Sequence, residues 1–185
     1  MTRVAAWRSG TIARVVRLRL ALVVLAALGF IGCDQGTKTL ATATLRGEAP
    51  RRLLSGALEL RYAENAGGFL SVGASLPARA RTFTFVIGAA VLLLALVTLA
   101  VRDPSRTPIQ LFAVACILGG GVGNLVDRLA LGHVRDFAVL HVGGLSTGVF
   151  NLADVAVMLG CVALMPWAWA RRCPPWCSAR SRSSP

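Results

Sequence analysis

Residues 109–128, IQLFAVACILGGGVGNLVDR, form a long apolar segment that ends on two charged residues. Residues 109–126 carry no charge over 18 positions, and an apolar helix of that length approaches the roughly 30 Å of hydrocarbon in a bilayer. The run ends on Asp127 and Arg128. An ionised carboxylate costs about 2.5 to 3.5 kcal/mol inside a membrane, and therefore faces the protein interior or water. The stretch predicts a spanning helix with a polar site at its end.

Three other apolar runs are also long enough to cross a membrane, and 55% of the residues are hydrophobic while 15% are charged. One integral membrane domain is predicted, with spans at 12–32, 82–101, 109–127 and 149–170, an outer loop at 33–81, a basic head at 1–11 and a basic tail at 171–185. In the loop, Leu58, Leu60 and Tyr62 alternate as in a strand. The predicted fold class is an all-α membrane protein of four transmembrane helices, with a small β-containing extracytoplasmic platform between spans 1 and 2.

Arginines determine the predicted orientation. Five occur in the first 19 residues without an acid, two lie between the second and third spans, and four lie in the tail. Four spans bring these segments to one side, which the positive-inside tendency assigns to the cytoplasm. The net charge of +12 is then explained by anionic lipid heads. Nucleic acid is not an expected partner, because no basic stripe is interleaved with aromatic residues.

The acids gather on the opposite side. Asp103 falls among arginines and prolines in the inner turn and is interpreted as a solvated loop residue. The other four of the five aspartates lie within or beside apolar runs, and the predicted topology brings them to the outer face: Asp34, Asp127, Asp136 and Asp154.

Spacing adds local expectations. Asn124, Asp127 and Arg128 stand at i, i+3 and i+4, which predicts one polar helix face. Pairing with Arg128 would keep Asp127 ionised, which suits an orienting role better than proton donation. Asn151 and Asp154 are expected to share a helix face, with Asp154 about five residues into its span.

Two carboxylates from different segments can hold one water and share one proton, as in aspartic proteases. Spacing does not say which two of the four aspartates would form that pair. An alternative is that these polar residues only tie helix ends together. His133 and His141 have no cluster of cysteines or acids at ligand spacing around them, so neither a metal nor a cofactor is predicted.

Four blocks in order resemble the signature of the lipoprotein signal peptidase family, also called signal peptidase II. They are Asp34-Gln35-Gly36-Thr37-Lys38, Asn65-Ala66-Gly67-Gly68-Phe69, Gly120 to Arg128 with Gly132-His133-Val134-Arg135-Asp136-Phe137, and Phe150-Asn151-Leu152-Ala153-Asp154. Any one block would be weak evidence, whereas four in order are strong.

The resemblance implies a membrane aspartic endopeptidase that removes signal peptides from bacterial prolipoproteins, cutting on the amino side of a diacylglyceryl-modified cysteine. It implies that Asp136 and Asp154 form the catalytic dyad and that Asp127 supports it. Further supporting or substrate-binding roles are implied for Asp34, Lys38, Asn65, Asn124, Arg128 and Asn151, with Asp34 and Lys38 at the margin of the site. The expected enzyme is a monomer in the bacterial inner membrane, and its partners are lipid-modified prolipoprotein and membrane lipids.

Two other interpretations remain. Arginines followed by an apolar run and Cys33 resemble the signal peptide of a lipoprotein, but three further spans and a block that continues to Lys38 argue against it. A small transporter or assembly factor would distribute ionisable groups across the membrane depth or show an internal repeat. The sequence instead clusters its acids on one face.

Overall fold

A computed structural model describes residues 2–67, 75–77, 80–81, 83–102 and 106–170, and it describes only the backbone of residues 2–13, 99, 101–102 and 167–170. Asp103, Phe69 and the basic tail lie outside this part of the chain.

Four helices account for most of the described residues. They are α1 (Thr2–Leu45), α2 (Gly88–Arg102, preceded by a π-helical turn at Phe83–Ile87), α3 (Pro108–Leu131) and α4 (Leu152–Ala170). Within the described ranges, the segments long and apolar enough to cross a membrane are Arg14–Leu45 and Pro108–Leu131, and the shorter apolar helices are Phe83–Thr98 and Leu152–Pro166. The prediction of four helices is confirmed, with membrane length in two of them.

The first helix is much longer than predicted. It includes the backbone of the basic head and continues from Gly32 to Leu45, so the expected start of a loop at residue 33 is wrong. The polar residues after Gly32 bond within the helix: the hydroxyls of Thr39 and Thr42 donate to carbonyls four residues earlier, both at 2.7 Å. The end of the apolar run is therefore not the end of the helix.

Two connections between helices contribute the strands of one four-stranded antiparallel sheet. Its order is β1 (Arg51–Leu53), β2 (Leu58–Asn65), β3 (Val134–Val142) and β4 (Leu145–Ser146), with β1 and β2 after α1 and with β3 and β4 between α3 and α4. The predicted strand through Leu58 and Leu60 is confirmed as β2. The sheet was predicted to lie within the connection between the first two spans. That prediction is wrong, because β2 pairs with β3 from the connection after α3. That pairing sets Ala63 opposite Asp136, so the sheet carries one of the candidate catalytic residues.

Helix α3 is the centre of the packing, against α1 on one side and α4 on the other. Its start is capped by Thr107 and Gln110, whose side chains each accept from the backbone of the other. Its glycines permit close approach: a Cβ on Gly120 would collide with the carbonyl oxygen of Ala153 in α4, and one on Gly119 would lie 2.9 Å from the carbonyl oxygen of Ala27 in α1. Adjacent glycines of α3 thus permit close approach of α1 and of α4, and the second contact lies next to Asp154.

Candidate active site

Asp136 lies on β3 and is 2% exposed. Gly132 ends α3 in the left-handed conformation, with φ 79°, and the strand that carries Asp136 starts two residues later. Its two carboxylate oxygens accept hydrogen bonds from the side-chain amides of Asn65, at 3.0 Å, and Asn151, at 2.6 Å. The pKa of Asp136 is raised to about 6, chiefly by burial and also by the charge of Asp154, while the hydrogen bonds from the two amides oppose the rise.

Asp154 lies in the first turn of α4, half-buried. One carboxylate oxygen accepts from the side-chain amide of Asn124 at 2.9 Å, and the other accepts from the backbone N–H of Asn151 at 3.2 Å. Asp154 was expected about five residues into a span that starts at residue 149, whereas α4 begins at Leu152 and Asp154 is its third residue. The apolar run that set the predicted start includes residues 149–151. Asn151 is the N-cap of α4 and precedes its first helical residue.

Asn151 joins the two carboxylates. Its side-chain N–H donates to Asp136, its side-chain carbonyl accepts from the backbone N–H of Asp154 at 3.0 Å, and its own backbone N–H donates to Asp154. The expectation that Asn151 shares a helix face with Asp154 is therefore replaced by a capping contact. Asn151 is 1% exposed, so its own side-chain hydrogen bonds are shielded from water.

Below the carboxylates lies a fully buried lysine. The Lys38 ammonium is 2.8 Å from Asp34, 3.4 Å from Asp127 and 2.8 Å from the side-chain carbonyl of Asn124. Asp34 also accepts from the backbone N–H of Ala153 at 3.0 Å, at the positive end of α4. Asp34 and Lys38 are 1% and 0% exposed, so both are buried in the protein interior, and their supporting role at the margin of the site stays a prediction.

The expected partner of Asp127 is also wrong. Its carboxylate pairs with Arg135 at 2.8 Å and with Lys38, rather than with Arg128. Neighbouring residues on a helix point about 100° apart, so Arg128 turns away from Asp127. The Arg128 guanidinium donates instead to the backbone carbonyl of Gly67 at 2.9 Å and lies over the ring of Phe85.

Two residues of the site were not predicted. Gln35 donates to Asp127 at 3.1 Å and to the backbone carbonyl of Gly123 at 3.0 Å, while its side-chain carbonyl accepts from Arg135 at 2.8 Å. Both Gln35 and Arg135 occur inside the family-like sequence blocks. Their place beside Asp34 and Asp136 in those blocks was the available signal.

Beside Asp154 lies an apolar pocket of about 250 Å³. Phe150, Val155 and Met158 line it together with Leu140 of β3. Elsewhere in the described part of the chain, His133 and His141 lie near Glu64 and Glu59, at 3.6 and 3.4 Å. No group of three or more potential metal-binding side chains occurs among the residues that the structure describes.

The chain is similar to known proteins along most of its length. A family model described as signal peptidase (SPase) II, Peptidase_A8, matches residues 25–170. The chain is 36% identical over 155 residues to the lipoprotein signal peptidase of Sphingopyxis alaskensis, covering 83% of this chain and 87% of that protein. It is 37% identical over 150 residues to the lipoprotein signal peptidase of Chlorobaculum tepidum, covering 76% and 90%.

A solved structure of a bacterial membrane enzyme has the same fold. It superposes with a TM-score of 0.71 at 23% identity, covering 80% of this chain and 92% of that one.

Proposed function

Since the chain belongs to the signal peptidase II family of aspartic-type peptidases, we propose that Asp136 and Asp154 are the catalytic dyad with which it removes signal peptides from prolipoproteins. The observation that carries this assignment is the position of Asn151, which bonds to Asp136 through its side chain and to Asp154 through its side chain and backbone. A strand and a helix from different parts of the sequence thereby present carboxylates to one place.

The environments of the two acids differ in the way that such a dyad requires. Asp136 is buried, and its pKa of about 6 favours the protonated form relative to an ordinary aspartate. Asp154 is half-buried and borders the apolar pocket. Asp136 is therefore assigned as the proton-bearing member and Asp154 as the base.

We assign hydrolysis to general acid–base catalysis in which each aspartate returns to its starting protonation state. Asp154 removes a proton from a water as the water oxygen attacks the scissile carbonyl carbon. Asp136 donates its proton to the carbonyl oxygen, giving a neutral tetrahedral intermediate. When the C–N bond breaks, the leaving nitrogen takes the proton held by Asp154, and Asp136 recovers its proton from the hydroxyl as the carbonyl reforms.

The remaining polar residues hold this pair in place. Lys38 neutralises part of the buried negative charge. It donates to the side-chain carbonyl of Asn124, whose amide in turn donates to Asp154. Asn65 donates to Asp136, and Arg128 fixes the backbone at Gly67. Asp127 is assigned a supporting role because Arg135 and Lys38 occupy its oxygens.

We further propose that the site lies near the outer face of a bacterial inner membrane that all four helices span, with both termini in the cytoplasm. In α1, Arg14 and Asp34 are 20 residues apart, which is about 30 Å of helix and matches the hydrocarbon thickness. Arg14, Arg17 and Arg19 then lie at one interface and the buried acids at the other. A cysteine anchored by diacylglycerol in the outer leaflet would bring its amino-side peptide bond to this level, and the pocket beside Asp154 would accept an apolar part of the substrate.

Cleavage of a diacylglyceryl prolipoprotein by the purified full-length protein tests the dyad. Asp136→Asn and Asp154→Asn should each lower the cleavage rate by about 10² to 10⁴-fold or more, because each removes a proton-transfer group. Asp127→Asn should be impaired but measurable. Glu64→Gln, a carboxyl-to-amide change on β2 next to Asn65, is the matched control and should cleave normally.

The dyad assignment is wrong if either catalytic variant processes substrate near the wild-type rate. A second substrate with an unmodified cysteine tests the lipid requirement and should remain uncut. A mass measurement on the active preparation tests the expectation that the enzyme is a monomer.

A further inference from the structure

Arg135 ties three elements together. Its guanidinium donates to both carboxylate oxygens of Asp127 in α3, at 2.8 and 3.2 Å, and to the side-chain carbonyl of Gln35 in α1 at 2.8 Å. The backbone N–H of Arg135 also donates to Asp127, at 3.0 Å. We name this set, Arg135, Asp127 and Gln35, the Arg135 clamp.

The clamp is built as a rigid contact. The side chains of Arg135 and Asp127 are 14% and 0% exposed, so water competes little for their hydrogen bonds. Two parallel N–H donors on one carboxylate fix both the distance and the plane of the pair. Because a third donor direction is used on Gln35, the guanidinium has one arrangement that satisfies all partners.

This contact lies one residue from a candidate catalytic group. Successive residues of a strand point to opposite faces, so β3 presents Arg135 toward Gln35 and Asp127 and presents Asp136 toward Asn65 and Asn151. A shift of β3 relative to α3 would move the Asp136 carboxylate by a similar amount. Misplacement of a reacting group by about 1 Å can lower a rate by about 10²-fold.

We infer that Arg135 is a positioning residue, which braces β3 against α1 and α3 and thereby holds the Asp136 carboxylate in register with Asp154. The inference rests on the proposed function of that pair. It assigns no chemical step to Arg135, whose role is exerted through Asp127 and Gln35.

Two substitutions separate positioning from simple loss of charge. Arg135→Met removes the clamp, and Arg135→Lys keeps a positive charge but cannot reproduce the fork on a carboxylate. On the lipidated substrate, both are expected to lower kcat, about 10²-fold for Met and about 10-fold for Lys, while KM changes less than about twofold because substrate binding is untouched. Arg61→Met, on β2 and paired with Glu59 at 3.8 Å, is the control and should retain wild-type kcat.

The pH profile supplies a readout that a general loss of stability would not move. Asp136 that drifts from its buried place loses the desolvation and the repulsion from Asp154 that raise its pKa. The alkaline limb of kcat should therefore move to lower pH in both Arg135 variants. In addition, the losses in kcat from Asp127→Asn and Arg135→Met should be less than additive in the double variant, because the two substitutions share the contact between Asp127 and Arg135.

The result expected is a fall in kcat with these signatures in protein that still shows a cooperative melt. If Arg135→Met does not fold, Arg135→Lys alone decides the matter by its kcat and its pH limb. A folded Arg135 variant with wild-type kcat and an unchanged alkaline limb would overturn the inference. If Asp136→Asn is inactive in the same assay, the assignment of the dyad still stands. An active Asp136→Asn would instead remove the proposed function itself.

Discussion

Asn151 and Asp154 cap the start of α4 reciprocally. The backbone N–H of Asn151 donates to the Asp154 carboxylate at 3.2 Å, and the backbone N–H of Asp154 donates to the Asn151 side chain at 3.0 Å. This is a capping box in which the acid at the third helical position is also the proposed base. The contact that begins the helix is therefore the contact that orients Asp154.

Substitution of Asn151 can separate the cap from the dyad. Asn151→Ser retains a side-chain acceptor for the helix start, whereas Asn151→Ala does not, and the difference between them should be about 1 kcal/mol of stability. Both lose the amide that donates to Asp136 at 2.6 Å. Thermal unfolding should rank Ser above Ala, while the cleavage assay should show a strong loss in both. Wild-type activity in Asn151→Ser would contradict the bridging role.

The raised pKa of Asp136 makes stability depend on pH in a defined direction. The folded value is about 6 and the ordinary value 3.8, so between these values the folded protein binds more protons than the unfolded chain. Stability from this group therefore falls as pH rises from about 4 to 6, by up to about 3 kcal/mol. The charges that act on Asp136 are Asp154, Lys38 and Arg128.

Asp136→Asn isolates that contribution. The difference in Tm, variant minus wild type, should rise as pH increases from about 4 to 7 and level off above it, whatever its absolute sign, since the amide cannot titrate. Differential scanning fluorimetry of the two proteins in the same detergent measures it. A difference that stays constant or falls across this range would show that Asp136 is not a raised acid.

The sequence alone singled out Asp34, Asp127, Asp136 and Asp154, because they lie within or beside apolar runs, where a charged side chain is costly and usually has a role. Lys38 and Asn65 became candidates only through the resemblance to a family. Strand β2 was predictable from the alternation of Leu58 and Leu60. The extension of α1 beyond Gly32 was not predictable, because the apolar run ends at Asp34. Only the packed fold shows that Lys38 is buried against α3. Patterns of hydropathy register where a membrane ends, and they do not register where a helix ends.

The partner of Asp127 was beyond prediction for a different reason. Its neighbour Arg128 was the natural choice by sequence distance, yet the pair is made with Arg135, which β3 returns to the end of α3. Such a contact depends on the turn at Gly132 and on the pairing of β3 with β2. Single-sequence spacing describes neighbours on one helix and cannot describe a strand folded back onto it.

The buried ammonium of Lys38 supports the next prediction. Lys38→Met leaves Asp34 without its 2.8 Å partner, and an unpaired buried charge destabilises a protein by about 3 to 5 kcal/mol. Asp34→Asn combined with Lys38→Met removes both charges of that pair and should recover part of the loss. Unfolding measurements on the single and double variants test this, and a double variant less stable than Lys38→Met would argue against a paired charge.

The close approach of α3 and α4 predicts that Gly120 sets the position of Asp154. A Cβ on Gly120 would collide with the carbonyl oxygen of Ala153 and lie 2.9 Å from Val157, so Gly120→Ala must push the first turn of α4 outward. Overpacking of this kind destabilises by about 1 to 3 kcal/mol, and kcat should fall because Asp154 moves with Ala153. Gly29→Ala, on the exposed face of α1 with nothing within 4 Å, is the matched control and should be neutral or stabilising by about 0.5 to 1 kcal/mol. Tm and kcat measured on both variants decide the question, and a Gly120→Ala enzyme as stable and active as the control would show that α3 and α4 are not held at this contact.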